Sequence, residues 1–299
     1  MKILSYVTIT LGTAFLALTA CSPLDDDGVW KDSLTAVLDW SDVDENGLRP
    51  KDAGNVTLYV YPKQEQLQAM TYPMSDEHLS LQLPVGKFSV MALTEKTGNY
   101  IQGDINFQET VITLPVKVGK NGLEISSMPE SQLYAGFTDN VNSLADKQVM
   151  SDIKMLPVFK RMDVTLLVRD SLEYKGTADI SLSGMTTALK LNAQNAETPA
   201  TATGRLALHR EQVETDGKDI LASYKGALLF PDYVAKDNML TVTLEEKGKR
   251  QDYFKDITEF LESQRSKEII IILTLDKRTG EINGRAYTEG DIDEMNIYF

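Results

Sequence analysis

The sequence holds one cysteine, two histidines and two tryptophans in 299 residues, and each shortage removes a class of function. One thiol cannot close a disulfide within the chain, and a zinc site draws on three or four protein ligands, so Cys21 must act alone. With only His78 and His209, HExxH and clustered zinc sites are absent. A serine triad would have to borrow one of them, yet no serine sits in a GxSxG turn. Neither GxGxxG nor GxxxxGK[ST] occurs, so nucleotide binding has no support. Positive charge is short as well: 30 basic against 44 acidic residues give a net charge of −14, a surface that repels phosphate backbones and excludes nucleic acid as a partner. Beyond the N-terminal run no apolar stretch is long enough to cross a bilayer, since residues 269–275 are only strand-sized. The expectation is a protein with no catalytic residue, no metal and no cofactor.

The lone cysteine lies in "LALTACSPLDDDGVW". Met1 and Lys2 form a short positive start, residues 3–18 are apolar or small, and the layout is that of a secretory signal peptide. Thr19 and Ala20 place small residues before the cysteine, as a signal peptidase's narrow pocket requires. The quartet Leu18-Thr19-Ala20-Cys21 resembles the lipobox of bacterial lipoproteins, in which the thiol is diacylated and the chain is cut before the cysteine. That resemblance implies a signal peptide at 1–20 and a membrane as partner, held through the acyl chains on Cys21, because two or three chains anchor stably where one does not. The competing reading, a plain secretory signal or a membrane helix with an incidental thiol, meets a run that is short for a span and has no charged stop close behind it. Residues 21–33 read as a lipidated tether. Its Asp25-Asp26-Asp27 resembles the export signals of outer-membrane surface lipoproteins in Bacteroidales-type bacteria, or serves as a solvated spacer.

The body alternates far more often than it shows helical period. "LTAVLDW" (34–40), "NVTLYVYP" (55–62), "LSLQLP" (79–84), "KFSVMAL" (87–93) and "INFQETVITLPV" (105–116) are short β-branched and aromatic runs between turn-formers. A second series follows at 159–168, 178–185, 225–231, 239–246 and 267–275. Residues 126–157 carry two prolines, several Asp and Asn, and no clear strand beyond "QLYAGF", which places a boundary near residue 155. "DYFKDITEFLESQRS" spaces Phe254, Ile257, Phe260 and Leu261 for one helical face. The expected fold is all-β, with antiparallel sandwiches at 34–155 and 156–299.

These features together resemble the Bacteroidales fimbrial anchor and accessory-subunit lipoproteins, or closely related lipoproteins of the same layout. The residues that carry the likeness are the lipobox, Asp39-Trp40-Ser41 closing the first strand, "VTLYVYP", the "LQLPVGKFSVMAL" hairpin, and "LPVFKRMDVTLLVRD" followed by "ISLSGMTTALKLN". The resemblance implies two tandem transthyretin-like domains and a cell-surface structural subunit. Its role would be to anchor, terminate or accessorise type V fimbriae in adhesion, with other fimbrial subunits as partners by strand complementation. Polymerising subunits of such fimbriae are cut after an arginine near the N-terminus. Here the first arginine after Cys21 is Arg49, and Pro50 behind it makes a poor protease site, so the first strand is expected to stay in place.

Other motifs are weighed and set aside. "DVDENG" (42–47) matches the first half of a calcium loop, but position twelve would be Ala53 instead of a bidentate glutamate, so a turn capped by Asp and Asn fits better. Ser33 and Ser171, each in an Asp-Ser-Leu tripeptide, look like the O-glycosylation acceptor pattern of the same bacterial group. The alternative function is a glycan-binding surface lipoprotein of a polysaccharide-utilisation system with a candidate glycan ligand. It calls for exposed aromatic platforms, for which the two tryptophans, Trp30 and Trp40, are poorly placed.

Overall fold

The computed structural model describes residues 32–43, 50–51, 53–62, 68–73, 78–83, 85–94, 100–101, 110–143, 149–170, 174–191, 200–211, 220–234, 236–263, 268–287 and 295–298. In the first half the strands are β1 (Asp32–Asp39), β2 (Val56–Pro62), β3 (Gln68–Tyr72), β4 (His78–Leu83), β5 (Gly86–Thr94), β6 (Val111–Thr113), β7 (Val116–Gly119), β8 (Gly122–Ile125), β9 (Tyr134–Ser143) and β10 (Val149–Pro157). In the second they are β11 (Lys160–Asp170), β12 (Thr177–Thr186), β13 (Ala188–Lys190), β14 (Thr201–Glu211), β15 (Ile220–Phe230), β16 (Met239–Glu246) and β17 (Lys249–Asp256), then helix α1 (Thr258–Ser263), β18 (Glu268–Asp276), β19 (Glu281–Tyr287) and β20 (Met295–Tyr298). The all-β expectation holds.

One sheet runs β3-β2-β5-β9-β10-β1-β4 and the other β17-β16-β12-β14-β15-β11-β18-β19-β20. The first nearly closes on itself, because the Tyr72 hydroxyl on edge strand β3 donates to the Ser80 carbonyl on edge strand β4 at 2.7 Å. β1 and β11 take matching places in their sheets. β1 lies antiparallel to β4 and parallel to β10, and β11 lies antiparallel to β15 and parallel to β18. The sheets are therefore not purely antiparallel.

Alternation builds each core. β18 buries Ile269, Ile271, Leu273 and Leu275 and turns the residues between them outward. Each such side chain taken out of water contributes roughly 1.5–3 kcal/mol. The two cores are not confined to the two halves. Ile112, Leu114, Ile125 and Leu133, all from the first half of the chain, pack in the cluster that fills the second sheet. The pairing of Glu124 in β8 with Thr203 in β14 ties the same segment to that sheet by its backbone, bringing β7 and β8 into it, and β6 pairs with β13 of the second half in a separate two-stranded sheet.

Two sequence expectations are corrected. The stretch 126–157 contains two long strands, β9 and β10, because pairing with β5 and β1 overrides their weak local propensity. The expected helix forms over Thr258–Ser263, but its first five residues, 252–256, belong to strand β17. Lys247 and Gly248, both at positive φ (51° and 73°), make a tight hairpin that pairs β16 with β17 through Asp256. The Asp256 carboxylate then accepts from the Thr258 amide at 2.9 Å, so the helix begins only there. Ile257, Phe260 and Leu261 are buried as the spacing implied, whereas Phe254 lies on β17 and faces solvent.

Candidate functional site

The expected retention of the first strand makes β1 the candidate site, and its surroundings decide whether it can leave. Its sequence alternates, so Leu34 (1% exposed) and Ala36 (0%) enter the first core beside Leu79, Leu81, Ile153 and Met155. Backbone pairing holds it on both sides: Leu34 to Asp39 run opposite Val149 to Lys154, and Asp32 to Val37 run opposite Leu83 to His78. Removing it would open the core and strand two ladders of amides and carbonyls.

The strand's end is fastened by a short turn. Trp40, 4% exposed, meets Tyr134 edge to face, and Val43 N donates to Trp40 O at 2.8 Å. Ser41 N donates to Asp39 Oδ1 at 2.9 Å, and this bond holds the Asp39 carboxyl below the ordinary aspartate range. Lys154 Nζ on β10 reaches Asp42 Oδ2 at 2.8 Å, and its hydrogen bond to Asp42 raises the lysine. Both partners are largely exposed, so this pair sets direction more than it adds stability. Asp42 thus has a structural partner, Ala53 is buried, and Asp44 and Asn46 lie outside the described residues. The sequence reading missed Tyr134 and Lys154 as partners of this turn: Tyr134 lies in "QLYAGF", read only as a strand, and Lys154 in the part of 126–157 read as irregular. A tryptophan closing a strand was the only available hint.

The remaining predicted site residues do not gather. Leu18, Thr19, Ala20, Cys21 and Ser171 lie outside the described residues. Ser33 sits within β1 opposite Gln82, and His78 in β4 opposite Val37. His209 is exposed on β14 opposite Lys225. Among the described residues no group of three or more His, Cys, Asp or Glu could hold a metal, and no helix is long and apolar enough to cross a membrane. Glu246 accepts from Lys277 Nζ at 2.9 Å and from Lys175 N at 3.2 Å, which occupies it structurally.

Comparison with known proteins completes the site. No curated protein matches the sequence. The fold is shared with the fimbrial anchor protein Mfa2 from Porphyromonas gingivalis, at 13% identity and TM-score 0.53 over 87% of this chain and 98% of that one. It is shared with a candidate adhesin from Bacteroides ovatus, at 10% identity and TM-score 0.55 over 91% and 95%. A candidate polysaccharide-binding protein from Bacteroides thetaiotaomicron matches at 14% identity and TM-score 0.54 over 86% and 97%. The model of the fimbrillin-A associated anchor proteins Mfa1 and Mfa2 matches residues 33–292, from the second residue of β1 to beyond β19. The chain belongs to the fimbrillin-A associated anchor proteins Mfa1 and Mfa2, and its role is that of a fimbrial accessory subunit in adhesion.

Proposed function

We propose that this accessory subunit is a lipid-anchored terminal piece of the fimbrium, acylated at Cys21 after cleavage behind Ala20 and displayed on the outer membrane surface. The observation that supports it most is the burial of β1 between β4 and β10. A subunit that polymerises by proteolytic activation must give up its first strand. Cleavage after Arg49 would remove β1 with the tether, and Pro50 opposes that cut. The tether enters the body at β1, so a pull on the lipid is spread along two ladders at once and does not open one bond at a time.

In this reading the body is a tandem of two sandwiches divided near residue 155, and the matching places of β1 and β11 support the duplication. It has no catalytic role, and its partner subunit is engaged by strand complementation. Ser171 is the better glycan acceptor of the two serines, because β11 ends at Asp170 whereas Ser33 is paired inside β1.

Cys21→Ser tests the proposal in cells. Each buried methylene contributes on the order of 0.8 kcal/mol to membrane binding, so the substituted protein should move to the soluble fraction and the fimbriae built on it into the medium. Retention in the membrane would refute the lipid anchor. Release of the protein while fimbriae remain attached would refute the terminal role.

A further inference from the structure

The second sheet presents one polar face in which a large aromatic side chain stands exposed. Phe254 on β17 is 61% exposed, while its neighbour Tyr253 turns inward against the core. Registers place Phe254 opposite Thr241, Thr241 opposite Ser181, and Ser181 opposite Arg205, a row crossing β17, β16, β12 and β14 on one face. At about 4.8 Å between strands the row is about 14 Å long. The next row sets Asp252 opposite Thr243 and Thr243 opposite Asp179.

The polar groups are paired and locally neutral. Arg205 Nη2 donates to Asp179 Oδ2 at 3.0 Å, Arg250 Nε donates to Asp252 Oδ1 at 3.0 Å, and Thr243 Oγ1 donates to the same Oδ1 at 2.6 Å. The two arginine side chains are 50% and 54% exposed, and a guanidinium carries five N–H donors, more than one carboxylate oxygen takes up. A lone exposed apolar residue needs no explanation. What marks Phe254 is that it ends a row of polar residues, Thr241, Ser181 and Arg205, and contributes nothing to the core.

We infer that this face, with Phe254 as stacking platform and Arg205, Asp179 and Asp252 as hydroxyl partners, is a docking surface for a neutral oligosaccharide. A sugar ring offers an apolar C–H face for the phenyl ring and hydroxyls that both donate and accept, which matches a face carrying a ring at one end and hydroxyl, guanidinium and carboxylate groups along its two rows. The row is long enough for a short oligosaccharide. A protein segment would need a broader apolar patch than one ring supplies. A polyanion meets arginines already neutralised by aspartates on a chain of net charge −14. The site is independent of the lipid and of β1.

The test uses the Cys21→Ser chain as a soluble protein, titrated by calorimetry and ligand-observed NMR with cellohexaose, mannohexaose, maltohexaose and chitohexaose. At least one should bind with a Kd of about 1 mM or tighter. Phe254→Ala should weaken it about tenfold or more, in the range lost when planar ligands lose an aromatic platform, with the melting temperature unchanged. Phe254→Trp should retain binding, and Arg205→Ala should reduce it. Binding should survive about 1 M salt, where charge interactions are screened within about 3 Å. The inference is overturned if none of the four binds, if Phe254→Ala binds like the parent, or if high salt abolishes binding and so reveals a charged ligand.

Discussion

Trp40 and Tyr134 meet edge to face, ring centroids 5.5 Å apart at 78°, and so join the end of the first strand to the start of β9. Trp40→Ala should destabilise the protein by about 3–5 kcal/mol, the usual cost of deleting a large buried aromatic side chain. Trp40→Phe, which keeps a ring against Tyr134, should lose much less. Urea unfolding of the three proteins checks the order.

Beside that contact, Gly136 lets β9 approach β10 closely. A Cβ there would stand 2.6 Å from Ile153 Cγ2 and 2.7 Å from Lys154 O, and the backbone oxygen cannot turn aside. Gly136→Ala should therefore cost about 1–3 kcal/mol by overpacking and loosen the β10 support of β1. Faster amide hydrogen exchange along β1 would report it.

The cores shared between halves predict cooperative behaviour. A fragment of residues 158–299 lacks Ile112, Leu114, Ile125 and Leu133 and should not fold, whereas the whole body should melt in one calorimetric transition. Leu114→Ala, although in the first half, should destabilise the second sheet by about 2–5 kcal/mol. Two separate transitions would contradict this.

Acid should unfold the protein through carboxylates that are bonded in the native state. Hydrogen bonds from the Arg278 guanidinium lower Asp276 to about 2, and bonds from Lys277 and the Thr258 hydroxyl lower Glu246 and Asp256. Folded pKa values below the unfolded ones give stability that is present above the ordinary carboxylate range and lost as pH falls from about 4 toward 2. At the other extreme burial raises Tyr233 to about 12 and raises Tyr224 as well. Stability from these tyrosines is present below about pH 10 and lost above it as the unfolded chain ionises first. Melting temperature against pH should be flat near neutrality and fall at both ends.

Legibility followed the physical origin of each element. β1, β2, β5 and β18 are local alternations of strong β-formers and could be read directly. β10 could not, because Asp152 and Lys154 point outward and only Ile153 and Met155 mark its buried face. Phe254 was read as helical because Ile257, Phe260 and Leu261 continue its spacing, and the turn at Lys247-Gly248 that makes it a strand residue depends on pairing with β16. The parallel pairings of β1 and β11 join residues more than a hundred positions apart, a register that no local pattern specifies. The resemblance of Leu18-Thr19-Ala20-Cys21 to a lipobox is local in the sequence, whereas the two ladders that flank β1 could be seen only in the fold.

The most direct measurement is intact mass and peptide mapping of the protein recovered from cells with its fimbriae. The account predicts an N-terminal peptide that begins at acylated Cys21 and runs unbroken through residues 32–39 of β1. A chain that begins at Pro50, cut after Arg49 and missing β1, would contradict it.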